Sequence, residues 1–422
     1  MTRAALLVAA ALVWISAAEA QPRNSAQLRY AVIVTRHGVR APTWTPERLN
    51  RYSATPWPDF GVPPGHLTPH GRLLMKIMGN FYREYFASEG LLGKANCADA
   101  GRTYLWADTD QRTMETGRAL SESLLAGCKG EVHALAEGVS DPLFNPLEAK
   151  VFKQDAKLGH AAVVGRIGPK LDAVVEAHRT AFDELVRVLT GGGRAASSIF
   201  DQPIALSEGE EGVQMTGPLN IASTFTENLL LEYTNGMRGS DLGWGRLNAS
   251  NLLQILSLHT AYADLMRRTP YLAQVRGSNL LNRILRSMEQ AATGKRVKGA
   301  MGTPETALLV ISGHDTNLSN LSGMLGLSWA IASHQPDDIP PGGALMFSLW
   351  RAPESGKYSV RLQFVAQTLD QMHNAKPLSL KDPPPIADVF VPGCGTADPG
   401  WACDWRRFQA TALAAINPAF VQ

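Results

Sequence analysis

Tyr30-Ala31-Val32-Ile33-Val34-Thr35-Arg36-His37-Gly38-Val39-Arg40-Ala41-Pro42 is the stretch that decides the fold. Its first half is short, apolar and β-branched, the pattern of a strand buried on both faces, and such strands belong to parallel sheets covered by helices. Its second half is a turn shaped by Gly38 and Pro42 that carries two arginines around a histidine. In an open α/β sheet, ligands sit in the crevice beyond the carboxyl ends of the strands. One segment therefore announces both the architecture and the place of the chemistry.

Reading outward, Leu73 to Phe86 has helical spacing after the Thr68-Pro69-His70-Gly71 start, Arg102 to Ala107 reads as a second strand, and Asp110 to Leu125 as the helix behind it. Ala307 to Ser312 is another apolar strand and runs into Gly313-His314-Asp315. After Pro340-Pro341-Gly342-Gly343, two further strands are expected at Ala344 to Trp350 and Tyr358 to Phe364, followed by a loop-rich tail. Between these parts, helical patterns dominate at His160 to Thr190, Gly217 to Thr234 and Asn248 to Arg267, interrupted by Gly191-Gly192-Gly193. The expected fold is α/β, a mainly parallel sheet flanked by helices over 21–140 and 263–422, with a mainly helical insertion at 141–262 covering one end.

The N-terminus reads as an address. Arg3 precedes an unbroken apolar stretch from Ala4 to Ile15, and Ala18-Glu19-Ala20 has the small-x-small form of a signal-peptidase site. Residues 1–20 are expected to be a signal peptide cut after Ala20, and no later segment approaches the roughly 18 apolar residues of a membrane span. The mature chain is expected to be soluble and periplasmic or secreted. Four cysteines then acquire a meaning: Cys97, Cys128, Cys394 and Cys403 allow three pairings, of which sequence proximity favours Cys97 with Cys128 and Cys394 with Cys403. No CxxC pair suggests a zinc ribbon or a redox site.

The 422 residues carry 40 Lys+Arg against 38 Asp+Glu, a net charge of +2 without like-charge runs, which disfavours a nucleic-acid partner. The local chemistry points to a small phosphorylated molecule instead. Guanidinium forks such as Arg36 and Arg40 match phosphate oxygens and keep their charge. A neutral imidazole at His37 between them can attack phosphorus, His314 can add a hydrogen bond, and Asp315 can protonate the departing alkoxide.

In combination these residues resemble a known family. Arg36 to Pro42 is similar to the RHGxRxP signature of the histidine acid phosphatases, and His314-Asp315 resembles their second motif. Asp110-Gln111-Arg112-Thr113 with Thr116-Gly117 resembles the segment that supplies the family's third phosphate-binding arginine. Gly313 to Leu318 and Gln335-Pro336-Asp337 to Gly343 resemble the bacterial periplasmic branch that includes 4-phytase and glucose-1-phosphatase, as do the spacings of both cysteine pairs. The resemblance implies a phosphoglycerate-mutase-like sheet, His37 as nucleophile, Arg36, Arg40, Arg112 and His314 as the phosphate clamp, and Asp315 as the acid. It implies no metal or cofactor, since fixed donors already compensate the charge of the transferring group. Thr43, Trp44, Glu227 and Arg276 resemble positions that line the substrate pocket; at Trp44 the phytase relatives typically carry a lysine that meets a distal phosphate. The function expected is an exported acid phosphomonoesterase, a monomer acting on phytate. The alternatives are a sugar-phosphate phosphatase resembling glucose-1-phosphatase and a non-catalytic phosphate-ester binding protein, for which intact His37 and Asp315 would have no use.

Overall fold

The computed structural model describes residues 26–93, 97–125, 127–209 and 211–422, so the expected leader and its cleavage point lie outside the described residues. Strands are β1 (Gln27–Arg36), β2 (Thr103–Ala107), β3 (Val132–His133), β4 (Ala205–Gly209), β5 (Gly212–Thr216), β6 (Leu308–Gly313), β7 (Ala344–Arg351), β8 (Tyr358–Val365), β9 (Ile386–Val389) and β10 (Cys403–Asp404). Helices are α1 (Pro46–Leu49), α2 (Pro69–Ser88), α3 (Gln111–Leu124), α4 (Ala156–Ile167), α5 (Asp172–Ala177), α6 (Arg179–Thr190), α7 (Pro218–Thr234), α8 (Ala249–Met266), α9 (Pro270–Thr293), α10 (Asp315–Leu325), α11 (Leu369–His373) and α12 (Trp405–Ala415).

The main sheet runs β10-β8-β7-β1-β6-β2-β3, with β9 also on β8. Its half from β1 through β6 and β2 to β3 is parallel, and β7, β8, β9 and β10 join by antiparallel pairing. β1 lies at the centre, and its side chains alternate between two cores, as period-2 geometry requires. Tyr30, Val32 and Val34 meet Leu281, Leu318 and Phe408 of α9, α10 and α12. Ala31 and Ile33 face Met75, Phe81 and Leu120 of α2 and α3. The flanked sheet expected from the first strand is thus present, and the apolar runs of β1 and β6 reflect burial on both sides.

Register places the site. Arg36 pairs with Gly313 and Ala107 with Ser312, so the residues that follow β1, β6 and β2 leave the sheet side by side: His37, His314 and Asp108.

A third core is helical and joins Phe182, Leu185, Phe225, Leu229, Leu230, Ile255 and Leu256 of α6, α7 and α8. It also takes in Val39, Trp57, Leu369 and Met372 from outside 141–262. The structure differs from the sequence reading in detail here. The 160–190 pattern is three helices, α4 ending at Gly168 with φ of 80°, and the insertion contains the antiparallel hairpin β4–β5. α8 runs through the expected boundary at 262, and the 24-residue α9 that follows covers the sheet. The tail holds α12 and two short strands rather than loop alone. Both cysteine pairs are disulfides, Cys97–Cys128 with Cα atoms 5.4 Å apart and Cys394–Cys403 at 5.1 Å.

Glu232 on α7 is fully buried in the helical core. One carboxyl oxygen accepts the Gly243 N–H at 2.7 Å, and the other has no partner among the described residues. Burial pushes its pKa up to about 8, with Asp241 adding to the rise and the Gly243 bond opposing it. For an acid whose folded pKa lies above its unfolded value of 4.5, the native state favours the proton. Stability is therefore highest below that value and falls as pH rises from there to about 8. Glu232→Gln is expected to raise the melting temperature at pH ~7 and leave it nearly unchanged at pH ~4. Equal shifts at both pH values, measured by thermal unfolding, would refute a neutral Glu232 in the native state.

Candidate active site

The main chain of His37 is clamped between two strands' ends. Its N–H donates to the Gly313 carbonyl at 2.8 Å, and its own carbonyl accepts from Gly342 N–H at 3.0 Å. The following turn lies against the start of α2, where a Cβ on Gly71 would stand 2.1 Å from the Val39 oxygen and one on Gly38 would stand 2.8 Å from Met75 Cγ. Glycine at both positions permits that approach. Gly38 N–H also donates to Thr116 Oγ1 at 2.9 Å, which anchors the turn to α3.

His37 Nδ1 lies 2.8 Å from the Gly38 carbonyl oxygen. A carbonyl only accepts, so Nδ1 carries the hydrogen and neutral His37 has its lone pair on Nε2. Burial holds its pKa well below the ordinary histidine value, reinforced by Arg112, Arg36, Arg40 and His314. The imidazole therefore stays neutral into the acid range.

Three of the expected clamp residues carry a carboxylate apiece or in common. Arg36 is fully buried, donates to the Ile339 carbonyl at 2.6 Å and forms a close ion pair with Glu227; Arg40 reaches the same Glu227 oxygen at 3.0 Å. Burial alone would raise the Glu227 pKa, but Arg40 and Arg36 hold it below the usual glutamate value. Arg112, at the start of α3, pairs with Asp110 at 2.7 Å. Glu227 thus spaces the two arginines of the first motif and occupies donors that an arriving phosphate would claim.

His314 stands edge-on to His37, ring centroids 5.5 Å apart. Its Nε2 lies 2.8 Å from Asp108 Oδ2 and 3.3 Å from Asp110 Oδ2. Burial works against the imidazolium, yet the hydrogen bonds to Asp108 and Asp110 prevail and raise its pKa. The pKa values of the two histidines are thereby pushed in opposite directions across a few ångströms. Asp108 is itself held by Asn145 Nδ2 at 2.7 Å.

Asp315 is the first residue of α10, whose N-terminus opens toward the site. Arg267, the residue capping α8, makes a close ion pair with it, and His259 Nε2 lies 3.6 Å away. His259 Nδ1 contacts Ser223 Oγ at 3.0 Å. Burial would raise the Asp315 pKa, but Arg267, Arg36 and His259 hold it well below the usual aspartate value.

The outer positions divide. Thr43 is exposed and shares with the Arg112 guanidinium the surroundings of Gly65. Trp44 is half-buried, packs edge-on against Phe225 at 5.7 Å, and carries the Arg48 guanidinium 3.5 Å above its ring. Arg276 is half-buried, senses Arg267 and Tyr262, and its buried Nε has no hydrogen-bond partner among the described residues. Residues without a role in the sequence reading also stand here: Asp108, Asp110, Arg267 and His259. Asp108 follows a strand end directly, the signal that identified His37 and His314.

Two groups, Asp108 with Asp110 and His314, and Glu227 with His259 and Asp315, bring their donor atoms within 4.8 Å of one another. Arginines pair with three of the four carboxylates, Arg112 with Asp110, Arg36 and Arg40 with Glu227, and Arg267 with Asp315, while Asp108 is held by His314 and Asn145.

An imidazole kept neutral among guanidinium groups at the end of a parallel sheet defines a class of enzyme, and the comparisons agree: the chain belongs to the histidine phosphatase superfamily (branch 2), matched over residues 27–365. It is a phosphoric monoester hydrolase of that family. Among its relatives, phytase AppA of Escherichia coli (strain K12) is 35% identical over 413 residues, covering 95% of this chain and 94% of that protein. Glucose-1-phosphatase of Salmonella typhimurium (strain LT2) is 26% identical over 421 residues, covering 96% of each. The Hafnia alvei phytase in complex with myo-inositol hexakis sulphate superposes with a TM-score of 0.86 at 34% identity, covering 94% of this chain and 99% of that one.

Proposed function

We propose that the chain is an exported acid phosphatase that hydrolyses phytate through a phosphohistidine on His37. The observation that carries the mechanism is the His37 ring, with its Nδ1–H bound to the Gly38 carbonyl and its charge suppressed by burial and Arg112. Nε2 attacks the phosphorus of a bound monoester while Arg36, Arg40, Arg112 and protonated His314 hold the phosphoryl oxygens. The ester P–O bond breaks, and the alkoxide takes the proton of the Asp315 carboxyl. Water then attacks the phosphorus of the phosphohistidine and gives its proton to the Asp315 carboxylate, the P–Nε2 bond breaks with its electron pair returning to Nε2 of neutral His37, and inorganic phosphate leaves.

Phytate as substrate is supported by the phytase relatives and by cations beyond the clamp, Arg276, Arg267 and the Arg48–Trp44 stack. Where the phytases typically carry a lysine, a guanidinium laid on the indole supplies the positive charge here. Arg48→Gln is expected to raise KM for phytate about 2- to 5-fold at low salt, with little change for p-nitrophenyl phosphate. A change of equal size on both substrates would place Arg48 outside the recognition of distal phosphates.

Export rests on the 1–20 segment and agrees with two disulfides. We assign 141–262 to the cap over the site and take the enzyme to act as a monomer on a small phosphomonoester. The test is steady-state kinetics on phytate, glucose 1-phosphate and p-nitrophenyl phosphate across an acid-to-neutral pH series. The highest kcat/KM is expected on phytate, with activity that falls as pH rises out of the acid range, because Asp315 must carry a proton when the ester bond breaks. Preference for glucose 1-phosphate, which the 26%-identical relative favours by name, would select the sugar-phosphatase reading. Absence of turnover on every monoester would leave only a binding protein.

A further inference from the structure

We propose that Arg267 is a specificity-determining residue: it neutralises Asp315 in the free enzyme and passes to a second phosphate on the leaving group when a polyphosphorylated substrate binds, freeing Asp315 to take a proton. The inference rests on the proposed role of Asp315 as the acid. It starts from a conflict within the site, since an acid must be protonated to act, yet Asp315 is locked to a guanidinium.

The surroundings of Asp315 leave one group able to release it. From α8 it faces Arg267 and His259, from α7 Glu227, and from the end of β1 and the loop after it Arg36 and Arg40. Arg36 and Arg40 are tied to Glu227, and Arg36 also to the Ile339 carbonyl. His259 is fixed on its other side by Ser223. Arg267 is the exception. Among the described residues Asp315 is the single carboxylate with which Arg267 forms an ion pair; its side chain is 16% exposed, against 0% for Arg36, and its guanidinium lies 5.8 Å from the centre of the Tyr262 ring, a surface along which it can slide. Arg276 lies close enough to sense its charge and has an unpartnered buried Nε, so a second phosphate placed between the two would relieve their mutual repulsion and satisfy that nitrogen.

A substrate with a phosphate next to the scissile one therefore exchanges the Arg267–Asp315 pair for an Arg267–phosphate pair, and the negative charge it brings raises the proton affinity of Asp315. A monophosphate makes no such exchange and meets an acid whose proton affinity Arg267 still holds down. Recognition of a vicinal phosphate and protonation of the leaving group are in this way one event.

The test compares Arg267→Gln and Arg267→Lys with the wild type on phytate and on glucose 1-phosphate, recording kcat and KM against pH. For Arg267→Gln the account expects KM for phytate to rise several-fold with KM for glucose 1-phosphate within about twofold, and the alkaline limb for glucose 1-phosphate to move up by about one pH unit or more, because the charge that held Asp315 ionised is gone. Arg267→Lys should return the limb toward the wild-type position. Equal KM changes on both substrates with an unmoved limb would overturn the proposal and leave Arg267 a structural partner of α10. If the phosphatase reading itself were wrong, the wild-type enzyme would turn over neither substrate. Should the glutamine variant fail to fold, the lysine variant still decides: retained charge must preserve the wild-type limb, and a limb displaced with the charge intact contradicts the exchange.

Discussion

His37→Ala is expected to lower turnover of every phosphomonoester by about 10⁴-fold or more, because the variant lacks the imidazole Nε2 proposed to accept phosphorus in the first step. The loss should be chemical and not structural. The hydrogen bonds that hold residue 37, from its N–H to Gly313 and from Gly342 to its carbonyl, are made by the main chain and survive the substitution. Removing a buried ring surrounded by Arg36, Arg40 and Arg112 leaves the cations to bind phosphate, so the variant should still be protected against heat by inorganic phosphate. Turnover near the wild-type rate would remove the phosphohistidine mechanism.

Asp315→Asn is expected to act according to the leaving group. An inositol or glucose alkoxide needs a proton as the ester bond breaks, whereas p-nitrophenolate departs readily without one, so the former substrates should slow by about 10²–10⁴-fold and the latter much less. The second step also suffers, because asparagine cannot accept the proton of the attacking water. With p-nitrophenyl phosphate the phosphoenzyme should therefore form and then persist, visible as a burst of p-nitrophenolate before a slow steady state. Equal losses on all substrates without a burst would show that Asp315 only organises the site, through Arg267 and His259.

The sheet and the centre of the site were legible because both are written in short, contiguous strings. An apolar β-branched run ending in Arg36-His37-Gly38, and another ending in Gly313-His314-Asp315, mark buried parallel strands and what projects beyond them. Register then does what no string records: pairing Arg36 with Gly313 and Ala107 with Ser312 brings the two histidines and Asp108 together. Asp108 could have been found by the strand-end argument that found the others. Arg267 and His259 could not. His259 lies on α8 and Arg267 caps it, both with ordinary helical neighbours, and only packing of α7, α8 and α10 around Asp315 gives them a role. Glu227 illustrates the middle case, legible by resemblance as a pocket acid, while its bridging of Arg36 and Arg40 required the fold. Helix boundaries in the insertion were blurred for a related reason, since the apolar spacing of α4, α5 and α6 continues across Gly168 although the backbone turns there. The hairpin β4–β5 has half-exposed and exposed residues on its first strand, Ala205–Gly209, and so lacks the apolar run that marked the buried strands.

The central claim is covalent, and it is tested most directly by quenching Asp315→Asn in base during turnover of p-nitrophenyl phosphate and mapping the phosphoryl group by mass spectrometry. The account predicts one base-stable, acid-labile phosphoryl group on the peptide containing His37, absent from the His37→Ala variant. A phosphoryl group on any other residue, or continued turnover with none on that peptide, would contradict it.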